Sequence, residues 1–237
     1  MVYIMIILSI AAVVLFLYIR EKNRAYSMPE LFLKPTRSAL IVLLSLLAAF
    51  ESGNDNVARI DVFIIMGLVF GLLGDVWLDL KYVFASEDVR LTYAGFISFG
   101  LGHIFFITGL ILDYGHGVQA YYLLLPFAIG LIVSFLNLKM EKLMNLKYGK
   151  MKLIVFIYGF ILFSFVSLTL ILSIINRFSV TALNLLFIGS VLFTASDLVF
   201  SGTYFGTGKE RLIDFILNYL LYYPAQFLIA ISLYFMH

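Results

Sequence analysis

Residues 60–80 read Ile-Asp-Val-Phe-Ile-Ile-Met-Gly-Leu-Val-Phe-Gly-Leu-Leu-Gly-Asp-Val-Trp-Leu-Asp-Leu. A helix needs about 20 mostly apolar residues to cross the ~30 Å hydrocarbon core of a bilayer. This run has that length. Its apolar residues are continuous rather than alternating, which excludes a strand of an outer-membrane barrel. It also carries Asp75 and Asp79 near one end, where hydrocarbon penalises a charge. The segment therefore predicts two things together, a transmembrane helix and a polar site within the membrane.

Seven further runs of the same kind flank it: Val2–Ile19, Ser38–Phe50 (from Leu31 at the earliest), Thr92–Leu112, Val118–Leu136, Met151–Ile175, Val180–Phe200 and Leu212–Phe235. Composition agrees. Of the 237 residues, 63% are hydrophobic and 13% charged, and the mean hydropathy is +1.05. A soluble domain is about 45–50% apolar and ~25% charged. A secreted disulfide scaffold, a disordered chain and a nucleic-acid binder are excluded. The chain has no cysteine, so thiolate metal sites and Cys nucleophiles are excluded too.

The basic residues test the count of eight. Fourteen of the 16 Lys and Arg fall in the odd-numbered connections between spans, and two in the even-numbered ones. Cytoplasmic loops are enriched in Lys and Arg, so the odd connections are expected inside and both termini outside. The first span is expected to be retained rather than cleaved, because its basic cluster follows the apolar run instead of preceding it. The expected fold is an all-α membrane protein: a single bundle of eight transmembrane helices over residues 1–237, both termini non-cytoplasmic. Gly67–Asp75 and Gly189–Asp197 share a Gly-to-Asp spacing, a slight sign of duplication.

Intramembrane polar residues are costly and usually functional. They are Asp75, Asp79, His103 and Asp197, with Asn218, Tyr222 and Gln226 on one i, i+4, i+8 stripe of the last span; Lys34 stands at the cytoplasmic start of the second. At about 1.5 Å of rise per residue, Asp75 lies roughly 7 Å and Asp197 roughly 10 Å below the midplane, and His103 near it. These heights are compatible with one pocket open to the cytoplasm. Asp79 is also placed for simple solvation at the interface, and Lys34 for snorkelling to anionic headgroups.

Phe70-Gly-Leu-Leu-Gly-Asp75 followed by Gly100-Leu-Gly-His103, then Leu192-Phe-Thr-Ala-Ser-Asp197, resembles the paired signatures of the YhhN family of integral membrane proteins. Lys34-Pro35 and Tyr222-Tyr-Pro-Ala-Gln226 are similar to its flanking patterns. That family includes vertebrate transmembrane lysoplasmalogenases. The resemblance implies an eight-helix fold and cleavage of the vinyl ether of lysoplasmalogens, releasing a fatty aldehyde and a glycerophospho-ethanolamine or -choline. It carries over Asp75, Asp197 and His103 as catalytic, and Lys34, Asn218, Tyr222 and Gln226 as substrate-binding; Asp79 joins the latter by position. The partners implied are a lysophospholipid substrate and the bilayer, with no nucleic acid, and the location is the bacterial cytoplasmic membrane.

The chemistry fits two carboxyl groups. A vinyl ether is cleaved by protonating its β-carbon, giving an oxocarbenium ion to which water adds. Glycosidases handle a comparable ion with paired carboxyls. Asp75, deeper and beside Val76-Trp77-Leu78, is favoured as the acid. No cofactor and no metal are expected, because His103 is the one centrally placed His and zinc sites favour His and Cys. Three other classes stay open: a metal-dependent amidase or esterase of the ceramidase type, a proton-coupled transporter, since intramembrane Asp and His also relay protons, and a non-catalytic lipid-binding or scaffold protein. No Gly-x-Ser-x-Gly elbow or phosphate-binding glycine loop occurs.

Overall fold

The computed structural model describes residues 28–51, 58–206 and 212–236. Among them the chain forms seven long helices: α1 (Met28–Glu51), α2 (Arg59–Val83), α3 (Asp88–Tyr114), α4 (Ala120–Leu143), α5 (Lys152–Ile175), α6 (Thr181–Phe205) and α7 (Leu212–Ser232). Short 3₁₀ turns at Ala85–Glu87, Gly149–Met151 and Leu233–Phe235 tighten connections and ends. No strand forms among the described residues. A bridge pairs Leu146 with Gly206, tying the α4–α5 connection to the end of α6.

Six segments, from α2 onward, are long and apolar enough to cross a membrane. The protein is thus a multi-pass membrane protein. The helix α1 also spans 24 residues. The expected span Val2–Ile19 lies outside the described residues.

The expected boundary of the second span needs correction. Among the described residues the helix already runs from Met28, nearly three turns before Ser38, and continues through Pro35. The apolar run marks where lipid contact begins, whereas Met, Glu, Leu and Lys propagate a helix without it. Likewise α4 continues past Leu136 to Leu143, adding a polar turn with Lys139, Glu141 and Lys142.

The helices pair as hairpins α2–α3, α4–α5 and α6–α7; α1 lies against α2 and α7, while α5 joins α3 and α6. Small residues permit this. A Cβ on Gly102 would stand 2.7 Å from the carbonyl oxygen of Gly67, so α2 and α3 touch backbone to backbone there. Close contact of this kind stabilises helix pairs in lipid, where no hydrophobic effect drives association. The interior is filled by Leu44, Ile64, Leu68, Leu110, Phe165 and Leu186, all essentially inaccessible. Large apolar side chains such as Leu124, Leu131 and Ile132 point outward from α4, as lipid-facing positions do.

Candidate functional site

A group of polar residues from α1, α2, α5, α6 and α7 collects toward one end of the bundle. Asp75 and Asp197 sit eight residues before the ends of α2 and α6; Ser38 sits ten residues after the start of α1, and Tyr158 and Asn218 six residues after the starts of α5 and α7. Antiparallel neighbours place these positions at one height.

Asp75 is buried. Its Oδ2 accepts hydrogen bonds from the Ser38 hydroxyl and from the Tyr222 phenol, the latter at 2.8 Å. Gln226 Nε2 donates to the Tyr222 oxygen at 2.6 Å. A chain therefore runs from α7 back to α2, using the i, i+4 spacing that puts residues 222 and 226 on one helix face. Asp197 accepts from the Tyr158 phenol on α5. Each aspartate thus has a tyrosine from a different helix donating to its Oδ2.

Asp75 and Asp197 line the same cavity. Its empty space is about 820 Å³, counted out through its mouth. Tyr158, Tyr222, Asn218 and Ser196 supply the other polar groups near the aspartates, and Phe96, Phe99, Leu162 and Phe163 much of the apolar wall. An apolar hollow with a few convergent polar groups is the usual form of a small-molecule site. A long alkyl chain matches such a wall.

Other expected site residues are placed differently. Asn218 lines the cavity, but its Nδ2 donates to the Ser196 carbonyl and hydroxyl oxygens, at 2.8 and 3.0 Å. It clamps α7 to α6. His103 is fully enclosed by Phe106, Phe165, Phe193 and Tyr158, the nearest ring centroid 4.7 Å away. It does not line the aspartate cavity. It lines a smaller chamber shared with Gln226, and Phe99 borders both spaces. Position along a helix follows from the sequence; the angle around the bundle does not. Asp79 is buried, not solvated, one turn beyond Asp75 and outside the cavity wall. Lys34 belongs to α1, and its side chain lies outside the described residues.

Three participants carry no mark in the sequence. Tyr158 and Ser38 are unremarkable inside apolar helices. Arg37 is only 1% exposed, with its guanidinium 4.2 Å from the centroid of the Tyr223 ring and 5.4 Å from that of Tyr219. Cation–π contacts of this kind are strongest when desolvated. In the sequence Arg37 stands directly before the apolar run Ser38–Phe50, where it reads as one more basic residue of a connection. Among the described residues, no three or more His, Asp or Glu side chains gather as a metal site requires, so the ceramidase-type reading gains no ligand set.

Fold and site together define a polytopic membrane protein with a two-aspartate cavity toward one end of the helix bundle. Residues 30–233 match the model of the YhhN family, and the chain belongs to that family. A search of curated proteins and one of solved structures find no match to it.

Proposed function

We propose that this protein is a lysoplasmalogenase-like hydrolase that cleaves the vinyl ether of a lysophospholipid by acid–base catalysis from Asp75 and Asp197. The observation carrying this is the shared cavity: two carboxyl groups, each held by a tyrosine, in one apolar hollow. Membership of the YhhN family is consistent with it.

The reaction adds one water. A carboxylic acid gives its proton to the β-carbon, and the alkene electrons leave an oxocarbenium ion at the carbon bonded to oxygen. Water attacks that carbon, and a carboxylate takes its proton. The hemiacetal then collapses: its hydroxyl proton is removed, the ether oxygen is protonated, and aldehyde and glycerol alcohol separate. Two hydroxyls donating to one oxygen of Asp75 fit a carboxylate. We therefore assign Asp75 to receiving the water's proton and balancing the cation. Asp197 supplies the first proton. This reverses the order expected from depth alone.

The distribution of basic residues supports a cytoplasmic opening, eight helices and outward termini. A lipid whose headgroup rests at that interface can lay its vinyl ether, at the start of the chain, at the height of the aspartates. Lys34 is the candidate partner of the lipid phosphate.

The test is incubation of the purified protein with matched lysophospholipids bearing alkenyl, alkyl or acyl chains, followed by mass spectrometry. Aldehyde from the alkenyl lipid alone is expected. Free fatty acid from the acyl lipid, without aldehyde, would replace the proposal with an esterase.

A further inference from the structure

His103 holds one polar atom that the protein itself does not satisfy. Its Nδ1 lies 2.7 Å from the carbonyl oxygen of Phe99, one turn earlier on α3. A carbonyl can only accept, so Nδ1 carries the ring proton and Nε2 presents a lone pair. Nε2 is fully buried and has no hydrogen-bonding partner among the described residues. Buried acceptors in folded proteins are nearly always met by a donor, protein or water. The rings of Phe106, Phe165 and Phe193 around His103 offer none, and the hydroxyl of the fourth, Tyr158, donates to Asp197.

The chamber beside His103 answers this. It is lined by Gly67, Gly71, Gly102, Phe193 and Gln226 among others, and is large enough for about one water molecule. Gln226 is buried, and its Nε2 donates one hydrogen to Tyr222. A primary amide has a second hydrogen and an accepting oxygen. The chamber thus presents an acceptor on one wall and an amide able to give or receive on another. Gly71 helps keep it open, since a Cβ there would stand 3.1 Å from Gln226 Nε2.

We infer that one ordered water occupies this chamber, donating to His103 Nε2 and hydrogen-bonded to the Gln226 amide. It extends the chain Asp75–Tyr222–Gln226 to His103. His103 is then a positioning residue: through the water it fixes the Gln226 amide, which fixes the Tyr222 phenol on Asp75. Only the catalytic consequence of this rests on the proposed function; the water does not.

The experiment has three readouts on the full chain in lipid nanodiscs. A structure resolving ordered solvent is expected to show a water within hydrogen-bonding distance of both His103 Nε2 and the Gln226 amide. A protein donor on Nε2, or a chamber closed by side chains, would overturn the inference. Nitrogen-15 NMR of histidine-labelled protein is expected to show His103 Nε2 as a hydrogen-bonded acceptor, shifting toward a free imidazole nitrogen in Gly71→Ala. An unchanged resonance in a folded variant also overturns it. For turnover, Gln226→Leu is expected to lower kcat about 3- to 10-fold with KM unchanged, the worth of one hydrogen bond. If wild-type protein releases no aldehyde, the proposed function fails, and the density and the resonance still decide the water.

Discussion

Tyr222 and Asp75 are joined by a 2.8 Å hydrogen bond across 147 residues of chain, from α7 to α2. Neither helix end is needed for this contact; it is made by the packing of α1, α2 and α7 around the carboxyl group. Leaving a buried carboxylate short of one donor costs about 1–3 kcal/mol. Tyr222→Phe keeps the ring and its contacts with Phe99 and Phe193 but removes that donor. Aldehyde release is expected to fall by about 10- to 100-fold in folded protein. Wild-type turnover in this variant would remove Tyr222 from the mechanism.

Tyr158 is the counterpart on the other aspartate. If Asp197 delivers the proton to the β-carbon, Tyr158→Phe alters the acid and not the base. Its effect is expected on kcat, again by roughly an order of magnitude. Combining it with Tyr222→Phe is expected to give a larger loss than either change alone, because the two tyrosines serve different groups. A double variant no slower than the worse single would mean that the two carboxyls act as one unit.

Asp75 and Asp197 were legible because hydrocarbon makes a carboxylate conspicuous: each is a charge where charge is costly. Tyr222 and Gln226 were legible from helical spacing. Tyr158 and Ser38 were not, since a lone Tyr or Ser costs little in a membrane helix and is common there. His103 lines a chamber across Phe99 from the aspartate cavity rather than the cavity itself, because periodicity gives position along an axis and no azimuth between helices. The helical stretch of α1 before Ser38 was hidden for a related reason: the apolar run reports lipid contact, while helix propagation through Lys34 and Pro35 depends on local geometry and neighbouring helices.

Arg37 is expected to matter to stability through Tyr219 and Tyr223. A desolvated cation–π contact is worth about 2 kcal/mol. Arg37→Ala is expected to lower the thermal midpoint of detergent-solubilised protein by about 4–8 °C, at ~2–4 °C per kcal/mol for a chain of this size. Arg37→Lys keeps the charge but loses the planar stack, and is expected to fall between. Equal midpoints for all three proteins would show that the stacking contributes nothing.

Orientation can be measured directly because the chain has no cysteine. Asn145 lies in the connection between α4 and α5, at the site end of the bundle, with a positive φ of 52°. A single cysteine at 145 is expected to react with a membrane-impermeant maleimide only after the cytoplasmic face is opened. Labelling in intact cells would place the aspartate cavity on the outer face and would move the substrate pool to the other leaflet.

The decisive substitutions are Asp75→Asn and Asp197→Asn. Each nearly preserves shape while removing the ability to ionise or to deliver a carboxylic proton. A positioned acid or base contributes about 10²–10⁴ in rate, so each change is expected to lower aldehyde release within that range. Binding of the lysolipid should change far less, because the apolar wall of Phe96, Phe99, Leu162 and Phe163 is untouched. Asp79→Asn provides the contrast: Asp79 is buried a turn away but outside the cavity wall, and its loss is expected to affect stability more than kcat. Stability must be followed in every case, since Asp75 also ties α1 and α7 to α2 through Ser38 and Tyr222. A folded Asp75→Asn or Asp197→Asn protein with near wild-type turnover would mean that the chemistry is not carried by two carboxyl groups.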